Sequence, residues 1–221
     1  TISPNKVNAA EDSVYDFSWL DKDKEVYVLQ NRKFRKKNSV YLGSTIGRSV
    51  SGAFVDSNEV NFIAGYFFSE NFGIELSYTK AEGSLNKTHD SVNAQGATAF
   101  YKKIDSATSA MLMWAPFYSK INTFNKIFYY DWLFGAGLAS ITTLDNRTNF
   151  TGGSTADDLT EESDTAFTWM TGMRFYFSQS WSTRIDFKAI HANTEMQLDA
   201  SDSEKRLNSY YNFNVGINFA F

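Results

Sequence analysis

Apolar and polar residues alternate through most of this chain. The final stretch, YNFNVGINFAF, places Phe213, Val215, Ile217, Phe219 and Phe221 on one parity and Asn212, Asn214, Gly216, Asn218 and Ala220 on the other. A period of two belongs to a strand with one apolar and one polar face. Seven further segments read as strands. VYLGSTIGRS is the first, and NEVNFIAGYFF aligns Val60, Phe62, Ala64, Tyr66 and Phe68. GIELSYTK opposes Ile74, Leu76 and Tyr78 to Glu75, Ser77 and Thr79. TSAMLMWAP is apolar on both parities, so its phase is open. IFYYDWLFGAGLA sets Phe128, Tyr130, Trp132 and Phe134 against Tyr129, Asp131, Leu133 and Gly135. AFTWMTGMRFYF sets Phe167, Trp169, Met173 and Phe175 against Met170, Gly172, Arg174 and Tyr176. TRIDFKAIH sets Ile185, Phe187 and Ala189 against Arg184, Asp186 and Lys188.

The connections differ in length. SENFG and SQSW are short, and FYSKINTFNK is intermediate. EGSLNKTHDSVNAQGATAFYKKIDS, TTLDNRTNFTGGSTADDLTEESD and NTEMQLDASDSEKRLNS read as longer polar loops. Short turns at one end and long loops at the other, with an even strand number, describe an outer-membrane barrel whose termini are periplasmic. A soluble lipocalin-like barrel has the same alternation with its apolar face inward. Aromatic residues near strand ends, the uneven loops and a chain that stops on Phe221 favour the membrane alternative. The expectation is an all-β, eight-stranded antiparallel transmembrane β-barrel over 39–221 with a periplasmic N-terminal extension over 1–38.

Composition narrows the picture. With 221 residues the chain suffices for one barrel, and aromatic residues make up 17% of it. Mean hydropathy is -0.36, so the apolar residues are dispersed and no helix-length apolar run exists. There is no cysteine, which excludes disulfides and cysteine-based zinc sites. A net charge of -4 gives no reason to expect nucleic acid as a partner. No metal site and no cofactor are expected. No signal-peptide pattern starts at Thr1, so an exported chain would be in its mature form.

Parity assigns Glu75, Asp131, Arg174, Arg184, Asp186 and Lys188 to the lumen. The lumen of an eight-stranded barrel is just wide enough for side chains to fill. Three acids and three bases there are expected to pair and plug the barrel. On the outward parity, the small residues Ala64, Ala110, Ala136, Thr171 and Ala189 are candidates for close contact between protomers. An enzyme is not expected. His89, in THDSVN, reads as a solvated loop residue, and a His-Asp-Ser run in sequence is no triad. His191 has lipid-facing parity at the outer end of its strand and reads as an interfacial, hydrogen-bonded imidazole. The acidic ADDLTEESD lacks the glycine and spacing of a calcium loop and reads as a solvated charge run.

The extension changes character along its length. Glu11, Asp12, Asp16, Asp21, Asp23 and Glu25 come first, with Tyr15, Phe17, Trp19 and Leu20 suited to packing. NRKFRKK then brings Arg32, Lys33, Arg35, Lys36 and Lys37, with Phe34 among them, to the start of the first strand. A basic cluster beside a bilayer can hold anionic head groups, and Phe34 could dip into the interface. A solubilising linker is the alternative.

The final strand resembles the C-terminal signature of outer-membrane proteins, with Phe221 last, Phe219 two residues earlier and alternate apolar positions before them. That resemblance implies that Phe213, Val215, Ile217, Phe219 and Phe221 are read by the barrel-assembly machinery. VYDFSWLDKDKEVYVLQNRKFRKKN, VNFIAGYFFSENFGIELSY and WAPFYSK resemble the small outer-membrane barrels of predatory deltaproteobacteria, a PopA-like, porin-like family of the Bdellovibrio type. The resemblance implies a homo-oligomeric ring, a pentamer, that traps outer-membrane lipids at its centre. Two other functions remain open: an OmpW-type channel for small or apolar solutes, and a monomeric adhesin acting through its loops.

Overall fold

The chain folds, in a computed structural model, as eight antiparallel strands closed into a barrel in sequence order. The structure describes residues 32–96, 99–123, 126–147, 159–199 and 202–221. The chain divides into two units, Thr1–Lys33 and Phe34–Phe221. The packing expected of Tyr15, Phe17, Trp19 and Leu20, and the acidic run around them, lie outside the described residues, as do Asp157 and Asp158.

The strands are β1 (Ser39–Ser49), β2 (Val55–Phe67), β3 (Phe72–Leu85), β4 (Lys102–Thr123), β5 (Lys126–Asp145), β6 (Thr160–Tyr176), β7 (Trp181–Asp199) and β8 (Asp202–Ala220). A helix, α1 (Lys87–Ala94), follows β3. β1 and β8 close the wall from Tyr41↔Ala220 to Ser49↔Asn212, and the Phe221 N–H donates to the Val40 carbonyl at 2.9 Å. Closure gives every strand a neighbour on each side, while the ends of β4, β6, β7 and β8 that run beyond the closed wall pair with one neighbour only.

Exposure decides which face is the lumen. In β8, Phe213, Val215 and Ile217 are 50%, 42% and 53% exposed, while Asn212, Asn214 and Asn218 are 3%, 3% and 2% exposed. The apolar parity faces out and the polar parity faces in, the reverse of a soluble barrel. β2 repeats this, with Val60, Phe62 and Tyr66 exposed and Asn61, Ile63 and Phe67 buried. The open phase of β4 is settled: Leu112 and Trp114 face out, and Met111 and Met113 face in. Inside, Tyr41 lies across Gly65, its partner on β2, where a Cβ would sit 2.1 Å from the tyrosine ring. A glycine there makes room for a ring that fills the lumen.

Several segments read as loops are strand. FYSKINTFNK continues β4 and β5 as a hairpin paired down to Thr123↔Lys126, after a register shift between Trp114 and Phe117. Pro116 falls at that shift, where its missing N–H breaks no ladder bond. NTEMQLDASDSEKRLNS is the tip of the β7–β8 hairpin, paired out to Asp199↔Asp202. TTLD belongs to β5 and TEESD to β6. At the long-loop end polar residues stand on both faces of these extensions, so alternation no longer marks them; the β4–β5 hairpin keeps Phe117, Ile121 and Phe128 exposed on one face.

Candidate functional site: the lumen and its mouths

The inward parity of β3, β5, β6 and β7 carries the six charges expected there. Arg184 reaches across the lumen to Glu75, with Nη1 donating to Oε2 at 2.7 Å and Nη2 to Oε1 at 3.2 Å. Its Nε donates to Asp186 at 2.5 Å. The Tyr41 hydroxyl donates to the same Glu75 Oε2 at 2.5 Å. Lys188 sits beyond, its Nζ 3.3 Å from the Ser77 hydroxyl and 3.4 Å from that of Ser109. All of these side chains are buried, and the space left among them is about 20 Å³, room for about one water. Methionines 111 and 170 line that space, since a flexible thioether fills irregular gaps.

The expected pairing holds in part. Glu75, Arg184 and Asp186 come together. Asp131 and Arg174 are cross-strand partners, yet Asp131 Oδ2 accepts from Lys36 Nζ at 2.6 Å and from the Tyr176 hydroxyl at 2.5 Å. Arg174 lies over the Tyr41 ring, 4.3 Å from its centroid. A cation on an aromatic face gains part of what an ion pair would give. Glu59 is a further lumen acid, on the inward parity of Asn61 but outside the six charges read from the sequence. Its two oxygens accept from Asn212 at 2.9 Å and Asn61 at 3.3 Å. Asn61 also bonds Thr45 at 3.0 Å and Asn214 at 3.1 Å, which laces β1, β2 and β8 together.

Lys36 and Phe34 correct an expectation. Neither side chain lies at a lipid interface; both are buried in the barrel mouth at the short-turn end. Phe34 stacks on Tyr176 at 4.9 Å and meets Tyr129 edge-on at 5.4 Å. The physical reason is local. Asp131 faces an apolar, aromatic opening, and a lysine on the preceding arm neutralises it, while Phe34 covers the rings. Their backbone is held too: the Lys36 and Lys37 N–H groups donate to Glu70, at 3.2 and 3.4 Å, in the β2–β3 turn. Lys33, Arg35 and Lys37 remain exposed, and Arg32 is half-buried.

At the long-loop end a second charge cluster forms. Arg147 donates to Asp145 at 2.6 Å, Glu162 at 2.7 Å and Glu195 at 3.0 Å, and Lys102 bonds Glu162 at 2.6 Å. Burial pushes the Asp145 and Glu162 carboxyls up. The hydrogen bonds and charges of Arg147 and Lys102 outweigh it and hold both below the ordinary carboxylate range. Glu162 belongs to the acidic run read as solvated; it is locked in place instead. His89 is likewise no solvated residue. It is buried in α1, whose first turn is capped by Asn86, and packs edge-on to Tyr101 at 5.6 Å.

The outer face holds the remaining candidates. Ala64, Ala110 and Ala136 are exposed on it. Ala64 and Ala110 both pair with Leu76, and Ala136 pairs with Leu112. Thr171 accepts a hydrogen bond from the Trp132 indole at 3.0 Å. Ala189 is 0% exposed and cannot be a point of close approach. Its register places it between Trp169 and Tyr211, and with Phe187 and His191 these form a closed set of rings around it. His191 Nε2 accepts from the Trp169 indole N–H at 2.9 Å, and Nδ1 lies 2.8 Å from the Ser209 hydroxyl. An indole nitrogen only donates, so Nε2 is the acceptor of this bond. Phe213, Val215, Ile217, Phe219 and Phe221 line the outer face beside the β1–β8 closure, with Phe219 edge-on to Trp181 and Phe221 at 4.9 Å each.

No functionally curated protein is similar enough in sequence to count as a relative. Among solved structures, the N-terminal β-barrel domain of OprF from Pseudomonas aeruginosa superposes with a TM-score of 0.51 at 13% identity, covering 84% of this chain and 98% of that one. Neisserial surface protein A gives 0.49 at 14% identity, with 83% and 96% covered. OprG from Pseudomonas aeruginosa gives 0.49 at 10% identity, with 85% and 98% covered. At such identities the likeness is one of fold. A family model for the outer membrane protein beta-barrel domain matches residues 30–221, and this chain, an outer-membrane protein of the Gram-negative type, belongs to that family.

Proposed function

We propose that this barrel is a non-enzymatic, sealed element of the outer membrane that acts on lipid and on copies of itself through its outward surface. The observation that carries the reading is the Arg184–Glu75 pair, which spans the lumen and leaves about 20 Å³ beside it. A solute path through the protomer would have to break this pair. The resemblance to PopA-like barrels extends the reading to a ring, a pentamer with lipid trapped at its centre. The exposed Ala64, Ala110 and Ala136 offer the small side chains that let two walls approach. The short-turn end, where β1 begins and β8 ends, then faces the periplasm. The exposed Arg35 and Lys37 at that end suit anionic head groups.

Two measurements on one preparation test this. Native mass spectrometry of the gently solubilised protein is expected to give a discrete multimer of the 25.0 kDa chain with bound phospholipid, and Ala136→Trp to give monomer. Planar-bilayer recording is expected to show no conductance steps. A bare monomer for the unaltered chain would remove the ring. Discrete steps that Arg184→Ala enlarges would replace the sealed barrel with a channel.

A further inference from the structure

The long-loop mouth is not sealed like the rest of the lumen. β1 and β2 stop early there, and a cup of about 210 Å³ opens between the β1–β2 connection, the approach to β4 and the upper part of β8. It has room for about seven waters at their liquid volume. It is smaller than the roughly 300–1,000 Å³ pockets that bury drug-sized ligands. Beside aliphatic residues and Lys102 and Lys103, its lining holds three kinds of group. Phe54, Phe100, Tyr101 and Tyr210 supply aromatic surface. Ser49, Ser51, Ser57 and Asn208 supply hydroxyl and amide groups. Glu59 and Asn212 belong to the lumen network and also line the cup.

The charges around the cup are committed elsewhere. Lys102 bonds Glu162 and lies 3.4 Å from Asp145, and Lys103 Nζ donates to the Gly83 carbonyl at 3.2 Å. Glu59 accepts one amide hydrogen on each oxygen, which leaves each a further lone pair. The cup therefore presents acceptors that want neutral donors, hydroxyls of either sense, and ring faces for a small apolar surface. A second anion would face Glu59, and the lysines of the rim, already held by Glu162 and the Gly83 carbonyl, offer it no free charge. We infer that this mouth binds a neutral polyhydroxylated ring, a single pyranose unit either free or as the end of a glycan, with its hydroxyls donating to Glu59 and a C–H face on the aromatic wall.

The inference is independent of whether the barrel forms a ring. It is tested on the full chain in lipid nanodiscs, so that no sugar-headed detergent competes. The probes are glucose, galactose, mannose and N-acetylglucosamine, with choline as the cationic alternative, read by saturation-transfer NMR and calorimetry. At least one sugar is expected to bind. Glu59→Gln is expected to weaken it about tenfold or more, the loss that follows from trading a charged acceptor for a neutral one. Because Glu59 also serves the lumen network, Ser57→Phe is the second variant. It fills the cup from β2, and is expected to abolish binding in a barrel that stays folded by circular dichroism. The inference is overturned if none of the four sugars binds at concentrations near saturation, if choline binds in their place, or if Ser57→Phe leaves binding intact.

Discussion

Two clusters in this barrel use the same chemistry and live under different physics. In the lumen, Arg184 joins Glu75 and Asp186 at 2.7 and 2.5 Å, and all three side chains are at most 5% exposed. At the long-loop mouth, Arg147 joins Asp145, Glu162 and Glu195 at 2.6 to 3.0 Å, with exposures up to 38%. Bond lengths do not separate the two. Solvent does. In the dry cluster the cost of taking charge out of water is large and is offset only while every partner is present. In the second cluster water and salt reach Arg147, Glu162 and Glu195 and screen their pairs, while the buried Asp145 keeps Lys102 at 3.4 Å as a second cation, so the loss of any one pair weighs less. The comparison teaches that equal bond lengths carry unequal weight: the lumen network depends on every partner, while the mouth cluster, open in part to water, tolerates the loss of one.

The largest expected effect follows from removing the shared cation. Arg184→Met leaves Glu75 and Asp186 buried without it, and should cost about 3–5 kcal/mol in unfolding free energy. Urea unfolding of the reconstituted barrel measures this. Replacing all three together, with Glu75→Gln and Asp186→Asn added, should recover part of the loss: neither carboxylate is then left buried without Arg184, but Lys188 and Arg174 lose both acids as neighbours. If Arg184→Met costs no more than the same change at Arg147, the distinction between dry and wet clusters fails.

What could be read from the sequence follows the same divide. Inside the apolar band one face meets lipid and the other the lumen, so parity alone placed Glu75, Asp131, Arg174, Arg184, Asp186 and Lys188 inward, and the same rule would have found Glu59. Above the band both faces of β5, β6, β7 and β8 are polar, and strands read as loops. Arg147, in NRTNF, carries no period at all; Asp145 is its neighbour in sequence, but Glu162 and Glu195 meet it only in three dimensions. Lys36 and Phe34 were misread for a related reason. A basic cluster has the composition of a membrane anchor, but two of its members are taken by a buried carboxylate and two tyrosine rings. The covering of Ala189 depends on register, because Trp169 and Tyr211 become its neighbours only through cross-strand pairing.

A smaller effect is expected at the mouth, and its sign is fixed by the carboxyls. Asp145 and Glu162 are held below their unfolded values of 3.8 and 4.5. Their contribution is therefore fully present above about pH 4.5, and it is lost as the pH falls through the lowered values in the folded state. Arg147→Ala should cost about 1 kcal/mol or less at neutral pH, and less again in high salt. The difference between wild type and variant should shrink as the solution is acidified below pH 4.5. Stability curves against pH for the two proteins make the test. A gap that widens in acid would mean the cluster is not held by its carboxylates.

The smallest effect belongs to the outer wall, where a polar group faces lipid instead of water or lumen. The Trp169 indole donates to His191, which in turn meets Ser209, so three strands share one short chain of hydrogen bonds on the apolar face. His191→Phe keeps a ring over Ala189 and removes the acceptor. The packing survives, so the cost should be about 1 kcal/mol, that of one neutral hydrogen bond. The sharper readout is optical. The chain has five tryptophans, and subtracting the spectrum of Trp169→Phe in each background isolates one of them. Its emission should shift to the blue when His191 is replaced, because an indole N–H without an acceptor in an apolar setting relaxes less after excitation. An unchanged spectrum would mean that Trp169 finds its partner elsewhere in the bilayer. The aromatic set around Ala189 would then be held by ring packing alone.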